Sequence, residues 1–285
     1  MGYIPVPVHS QHLMRYVAHL SQHLAPNSIE KYLNIVRLLH LEYGYDNPIQ
    51  NWHVQSTIKG IQKEFGTAVK QKLPITPKIL LQMKSLIDVT APYWISFWAA
   101  SLVAFYGFLR KSNVFYDPHL PPSDQKHIQR RDIIYRKPGI TFIMLNHTKT
   151  IQFKERTLEL PMPSIPNHPL CPVSAITTLL CSVPSIEPDQ PAFMYCTPSG
   201  LKPLLYSEFI KDLKQLLSKL GYNSKDYSGH SFRRGGATWA MESGLPGEAI
   251  QILGDWQSET YRRYIDMNFS KRVGFMNRLS SCLPN

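Results

Sequence analysis

Cysteine is scarce in this chain. Cys171, Cys181, Cys196 and Cys282 are the only four in 285 residues. None stands in a Cys-x-x-Cys pair and no His-x-His accompanies them, which argues against a zinc site. Their scatter fits reduced core thiols of an intracellular protein. Long apolar runs are missing too. The most apolar stretch, Trp94 to Leu109, is shorter than a bilayer span and runs into Arg110-Lys111, so it reads as a buried core helix. The N-terminus, Met1-Gly2-Tyr3-Ile4-Pro5, has neither the basic nor the apolar part of a secretory signal. There is no phosphate-binding glycine loop, no carboxylate cluster for a divalent metal, no internal repeat and no Lys/Arg tract. These absences exclude a metal or nucleotide cofactor and a membrane partner from the expected reading.

What is present is positive charge on a chain able to fold. The formal net charge is +11, the pI is near 9.4, and 43% of residues are apolar. Such a chain buries a substantial interior and favours a polyanionic partner, nucleic acid before an acidic membrane. Its length suits two domains. Short helices are expected first, over Ser10–Leu24 with Pro26 as the stop, then from a capping-box-like Asn27 and Glu30, then over Trp52–Phe65. Residues 66–74 read as a linker, giving domains at 1–72 and 73–285. Seven Lys and Arg face four Asp and Glu in the first (net +3), and 24 face 16 in the second (net +8). Both are basic, as two lobes gripping one duplex would be.

The second domain opens on Thr76-Pro77, an N-cap with proline at the first helical position. The apolar helix follows, and then the period changes. Asp132–Arg136, Ile140–Leu145 and Arg156–Leu160 form a predicted three-stranded meander. Helices are expected again over Pro172–Cys181, Tyr206–Leu220, Phe232–Ser243 and Gly247–Leu253, with a last pair around Tyr264 and over Phe269–Leu279. One short strand is expected near Ala192–Tyr195. The fold class is therefore mainly α with a small antiparallel β-meander.

The chemistry concentrates near the C-terminus. Gly229-His230-Ser231-Phe232-Arg233-Arg234-Gly235-Gly236 is followed by Trp256 and, in Tyr261-Arg262-Arg263-Tyr264-Ile265, by a candidate nucleophile. A guanidinium grips two phosphate oxygens in a planar fork, and a phenol attacks phosphorus once its proton is removed. Without a metal, the charge gathering on the phosphoryl oxygens needs further cations, and the departing 5′-oxygen needs a proton. Arg110, ending an apolar helix, is the second guanidinium, since a charge there is expensive unless paired or functional. Lys149, in the turn Asn146-His147-Thr148-Lys149-Thr150 between two strands, can deliver an ammonium as general acid. Taken singly, each of these residues reads better as an ordinary surface charge or packed aromatic. Gly235-Gly236 reads equally as close helix packing. Only their joint order makes a site.

Arg110, Lys149, His230-x-x-Arg233, Trp256 and Tyr264, in that order, resemble the tyrosine recombinase (phage integrase) family over most of the chain. Three strings are especially similar to recombinases of DIRS/Ngaro-type retrotransposons and Crypton-like elements: residues 106–113, 148–153 and 230–238. The resemblance implies a helical core-binding domain followed by a catalytic domain. It implies that Arg110 and Arg233 clamp the scissile phosphate, that Lys149 protonates the 5′-oxygen, and that His230 assists proton transfer. Trp256, where many relatives have histidine, would donate its indole N–H to the phosphate and pack under the nucleophile. Tyr264 would form a 3′-phosphotyrosyl link without ATP. Double-stranded DNA is the implied partner. Assembly is implied as a tetramer on paired sites through the C-terminal helix, and the location as the nucleus in a eukaryote, or otherwise the cytoplasm with the chromosome. A non-catalytic DNA-binding descendant and a type IB topoisomerase are the alternatives.

Two departures from the family pattern stand out. The step from Trp256 to Tyr264 is one residue short, which puts Ile265 at the rigid count and makes Tyr261 the rival nucleophile. Asn113 stands where many integrases place an acid that braces the first arginine. His12, His19 and His23 share helical spacing but have no partner cluster, so they read as a solvated or DNA-facing surface.

Overall fold

The computed structural model describes residues 6–66, 71–136, 140–148, 151, 156–184, 187–265, 273, 274 and 276. The chain divides into two compact units, residues 1–70 and 71–285.

The first unit holds three helices, α1 (Ser10–Ser21), α2 (Pro26–Glu42) and α3 (Trp52–Phe65). Leu13 and Val17 of α1, Ile29 and Leu33 of α2, and Val54 and Ile58 of α3 form its core. These are apolar positions at three- and four-residue spacing, so each helix buries one stripe. Pro26 is not the stop of α1 but the first residue of α2, with Ala25 as N-cap. Proline has no N–H to lose there and its fixed φ suits the first turn, so the Asn27–Glu30 capping box is not the start. His40 is buried in this unit. Its Nε2 accepts the Val8 N–H at 2.9 Å while Nδ1 lies 2.7 Å from the Val36 carbonyl, an arrangement that fits the neutral ring.

The second unit is built around α5 (Pro92–Tyr106), which is buried continuously from Ser96 to Phe105 and packs against α7, α9 and β4. α4 (Pro77–Leu86) precedes it, capped by Thr76. After α5 come the single turn α6 (Lys111–Val114) and the strands β1 (Ile133–Arg136), β2 (Ile140–Leu145) and β3 (Leu158–Met162). The strands pair antiparallel in the order β1-β2-β3. Ile133, Ile143 and Leu160 align across the sheet and turn one face into the core. Next follow α7 (Pro172–Ser182), the hairpin β4 (Met194–Thr197) and β5 (Gly200–Pro203), α8 (Tyr206–Lys219), α9 (His230–Glu242) and α10 (Gly247–Leu253). A 3-10 turn over Glu259–Arg263 replaces the helix expected around Tyr264. Phe97, Phe115, Phe209 and Phe232 stack in the interior, with centroids 4.6 to 5.6 Å apart.

Some expectations change. Residues 72–75 are not linker. The Lys72 ammonium donates to the Lys225 carbonyl, Leu73 N–H to Asp226 and Ile75 N–H to Ser231, which fastens this stretch to the second unit. The strand near Ala192 has a partner, β5, hidden in the sequence by Gly200 and Pro203, two residues with little strand propensity. The apolar helix ends at Tyr106, so Arg110 does not terminate it but caps α6. The expected tail helix Phe269–Leu279 falls almost wholly outside the described residues. No helix among the described residues is long and apolar enough to cross a membrane.

Candidate active site

Arg233 is the centre of the site. It lies in the first turn of α9 and is 2% exposed. One guanidinium N–H donates to the Phe108 carbonyl and another to the Gly254 carbonyl at 2.9 Å. Those acceptors are the ends of two helices. Past α5, with Gly107 as C-cap, Leu109 N–H reaches back to Ala104 and Phe108 N–H to Phe105. Past α10, with Gly254 as C-cap, Trp256 N–H reaches back to Gln251 and Asp255 N–H to Ile252. Both are Schellman turns, and both place a non-glycine residue in the left-handed region: Phe108 at φ 47° and Asp255 at φ 51°. A buried guanidinium therefore faces the negative ends of two helix dipoles, which offset part of its desolvation.

Each turn delivers a further site residue. Arg110 follows Phe108 by two positions and is half-buried. Trp256 closes the second turn. Its indole stacks on Arg233, with the guanidinium carbon 3.9 Å from the ring centroid, and it is 6% exposed. The Trp256 Nε1 and Arg233 Nε donors are buried with no acceptor among the described residues. α9 comes this close because Gly235 and Gly236 carry no side chain. A Cβ on Gly235 would strike the Ile75 carbonyl, and one on Gly236 the Phe105 carbonyl and the Phe108 ring.

The two tyrosines lie in different environments. The Tyr264 ring sits 5.1 Å from the Arg233 guanidinium and 5.3 Å from the Trp256 ring. Tyr261 is buried in the apolar cluster that holds Phe108, Ala237, Ala240, Ile250 and Trp256, its ring 6.3 Å from that of Trp256 and its hydroxyl close against Gly247; Tyr264 packs on the same cluster from its partly exposed edge. The 3-10 turn over Glu259–Arg263 leads directly into Tyr264, whose ring lies over Arg233.

Positive charge predominates in the site. Burial and then the neighbouring Arg110 lower the Arg233 pKa, opposed by Tyr264 and Asp255. Arginine remains protonated at neutral pH even so. His230, at the start of α9, keeps an exposed surface, yet loss of hydration and then Arg233, Lys111 and Arg110 push its pKa below 6.5. Its imidazole is neutral at pH 7 and can accept a proton. No carboxylate among the described residues pairs with Arg110.

The structure thus brings together Arg110, His230, Arg233, Trp256 and Tyr264. Lys149 lies outside the described residues, and Thr148, which precedes it, is held in place. Thr148 is buried, and its N–H and hydroxyl exchange hydrogen bonds with Ile151, at 3.2 and 3.1 Å. Asn113 does not brace Arg110. Its amide donates to the His147 carbonyl at 2.9 Å and to the Lys126 carbonyl at 3.3 Å, tying α6 to the end of β2. Sequence reasoning missed Asp255 and the carbonyls of Phe108 and Gly254. The only available signal was Gly-Asp, a turn dipeptide, directly before Trp256. Among the described residues no group of His, Cys, Asp and Glu could hold a metal.

No family model matches the chain. It is 23% identical over 287 residues to an integrase/recombinase xerD homolog of Selenomonas ruminantium, covering 98% of this chain and 79% of that protein. Among solved structures it superposes on the XerH site-specific recombinase bound to palindromic difH substrate, with TM-score 0.60 and 11% identity over 96% of this chain and 70% of that one. It also superposes on the Tn1549 transposon integrase in complex with circular intermediate DNA, with TM-score 0.58 and 13% identity over 95% and 85%. The chain has the tyrosine recombinase fold. The matches support the tyrosine recombinase/integrase family. Within that fold, the cluster around Arg233 holds five of the six residues expected from the sequence.

Proposed function

We propose that this protein is a site-specific DNA recombinase that cuts and rejoins DNA through a 3′-phosphotyrosine at Tyr264, with neither metal nor ATP. The observation that carries this reading is the seat of the Tyr264 ring on the buried Arg233 guanidinium, beside Arg110, which pairs with no carboxylate among the described residues. Two neighbouring arginines make a strong site for a phosphate, because an anion relieves their mutual repulsion.

In the reaction, Arg110 and Arg233 hold the non-bridging oxygens and offset the charge that grows on them. The Tyr264 oxygen attacks phosphorus, and its proton passes to the neutral His230 imidazole. The bond from phosphorus to the 5′-oxygen breaks, with Lys149 supplying that oxygen's proton. The products are a 3′-phosphotyrosyl link and a free 5′-hydroxyl. Because the ester bond is exchanged rather than hydrolysed, an incoming 5′-hydroxyl reverses the steps and joins a new strand. Trp256 packs beneath both Arg233 and Tyr264 and holds their geometry.

Double-stranded DNA is the proposed partner, supported by the net charge and by the DNA complexes formed by the structural neighbours. We assign core binding of the duplex to residues 1–72 and catalysis to residues 73–285. Assembly would be a tetramer on paired sites through the C-terminal segment. The strings at 106–113, 148–153 and 230–238 support an origin in a mobile element, with action in the nucleus of a eukaryotic host.

The test is a duplex nicked just beyond the scissile phosphate, which lets the short cut strand diffuse away and traps a denaturation-resistant adduct. Across a pool of DNA sequences, wild-type protein should form the adduct, Tyr261→Phe should keep it, and Tyr264→Phe should abolish it. Duplex binding without any adduct would identify a non-catalytic binder instead. Relaxation of supercoiled plasmid by a monomer without paired sites would identify a topoisomerase.

A further inference from the structure

We propose that Asp255 is a positioning residue, whose carboxylate fixes the loop between β2 and β3 to the turn that carries Trp256. It thereby aligns the leaving-group acid with the phosphate clamp. This inference rests on the phosphotyrosine reading above, in which Lys149 is that acid.

The first support is the backbone. Asp255 occupies the left-handed position of the turn after α10, at φ 51°. An L-residue there costs about 1–2 kcal/mol, and glycine is the usual solution. Strain of this kind calls for a reason in the side chain.

The side chain supplies one. The Asp255 carboxylate is 8% exposed and accepts the Thr148 hydroxyl at 2.9 Å and the Arg156 guanidinium. Thr148 directly precedes Lys149, and Arg156 stands at the far end of the same loop. The Thr148 hydroxyl donates to Asp255 and accepts the Ile151 N–H. One carboxylate therefore ties both ends of the loop to a residue that neighbours Trp256 and follows the Gly254 carbonyl held by Arg233. From the other side, the Asn113 amide on the His147 carbonyl links the same loop to the element that follows Arg110. Asp255 and Asn113 together couple the hairpin to both turns that carry the clamp.

The chemistry offers a readout that a merely structural role would not move. A 5′-thiolate departs from phosphorus without a proton, whereas a 5′-alkoxide needs one. Adduct formation is measured in single turnover on two nicked substrates, one with oxygen and one with sulfur at the 5′-bridging position. On the oxygen substrate, Asp255→Ala and Thr148→Val should each slow the reaction about a hundredfold, as for a catalytic group displaced by about 1 Å. On the sulfur substrate most of that loss should vanish. Asp255→Asn keeps an acceptor for Thr148 and should recover much of the oxygen rate. The double variant Asp255→Ala/Thr148→Val should be no slower than Asp255→Ala alone, because the link that Thr148→Val removes is already gone. Thr148→Val is nearly isosteric and keeps the test open should Asp255→Ala fail to fold. Equal slowing on oxygen and sulfur would overturn the proposal, as would a wild-type rate for Thr148→Val. No adduct from wild-type protein on either substrate would overturn the phosphotyrosine reading itself.

Discussion

The turns that end α5 and α10 are built alike and serve different ends. Each is a Schellman turn after a glycine C-cap, each holds a non-glycine residue with positive φ, and each offers a carbonyl to Arg233. The left-handed residue of the first is Phe108, buried against Trp256 and under Gly236. That of the second is Asp255, which reaches across to Thr148 and Arg156. One backbone solution thus accepts an apolar or an ionic side chain at the same strained position. The first anchors the arginine by packing, and the second ties it to a hairpin by charge. Stability and alignment can then be altered separately.

The largest expected effect tests the packing turn. Phe108→Ala should cost about 3–5 kcal/mol of stability through the cavity it leaves. It should leave the ratio of oxygen to sulfur cleavage rates at the wild-type value in whatever protein remains folded. Urea denaturation and the paired substrates measure the two quantities, and a changed ratio would erase the distinction between the turns. Gly236→Ala comes next, since the added methyl meets a helix-end carbonyl and the Phe108 ring. Its cost should lie near the top of the range for overpacking, about 3 kcal/mol. A midpoint shift without a change in denaturant slope would show that packing alone is affected.

A smaller effect tests the shared backbone. At both 108 and 255, the glycine variant should be more stable than the alanine variant by about 1 kcal/mol, because only alanine keeps the left-handed penalty. Equal stability at either position would mean that turn is not left-handed in solution. The smallest effect concerns charge around the clamp. The His230 pKa is lowered in the folded protein, so the imidazole is already neutral at pH 7. Adduct formation should fall only as the pH drops through that lowered pKa. Stability should move the same way, because the unfolded chain binds that proton first as the pH drops. Replacing Arg110 with glutamine should shift the His230 titration, followed by NMR, back toward 6.5.

Much of this protein can be read along the chain. Helices α1, α3, α4, α7, α8 and α10 follow from apolar spacing, prolines at helix starts and caps such as Thr76, all local effects of sequence. The meander follows from alternating β-branched runs between turns. Arg110, His230, Arg233, Trp256 and Tyr264 were visible by residue type and order. β5 was not, because pairing with β4 overrides the poor strand propensity of Gly200 and Pro203. The start of α2 was misplaced because proline serves equally to stop one helix and to open the next. The sequence favoured Tyr264 over Tyr261 although a rigid count pointed to Ile265, and that count assumes a helix where the chain forms a 3-10 turn. Asp255 was hidden because its partners lie about a hundred residues away, at Thr148 and Arg156.

Composition and local pattern therefore determined that the chain is basic, mostly helical and equipped with cations, an indole and phenols for phosphate chemistry. Tertiary structure alone decided that two helix ends converge on Arg233, that Tyr264 rather than Tyr261 rests on it, and that Asp255 joins the turn after α10 to Thr148 and Arg156. Those outcomes depend on close approach between segments distant in sequence, which no local propensity encodes.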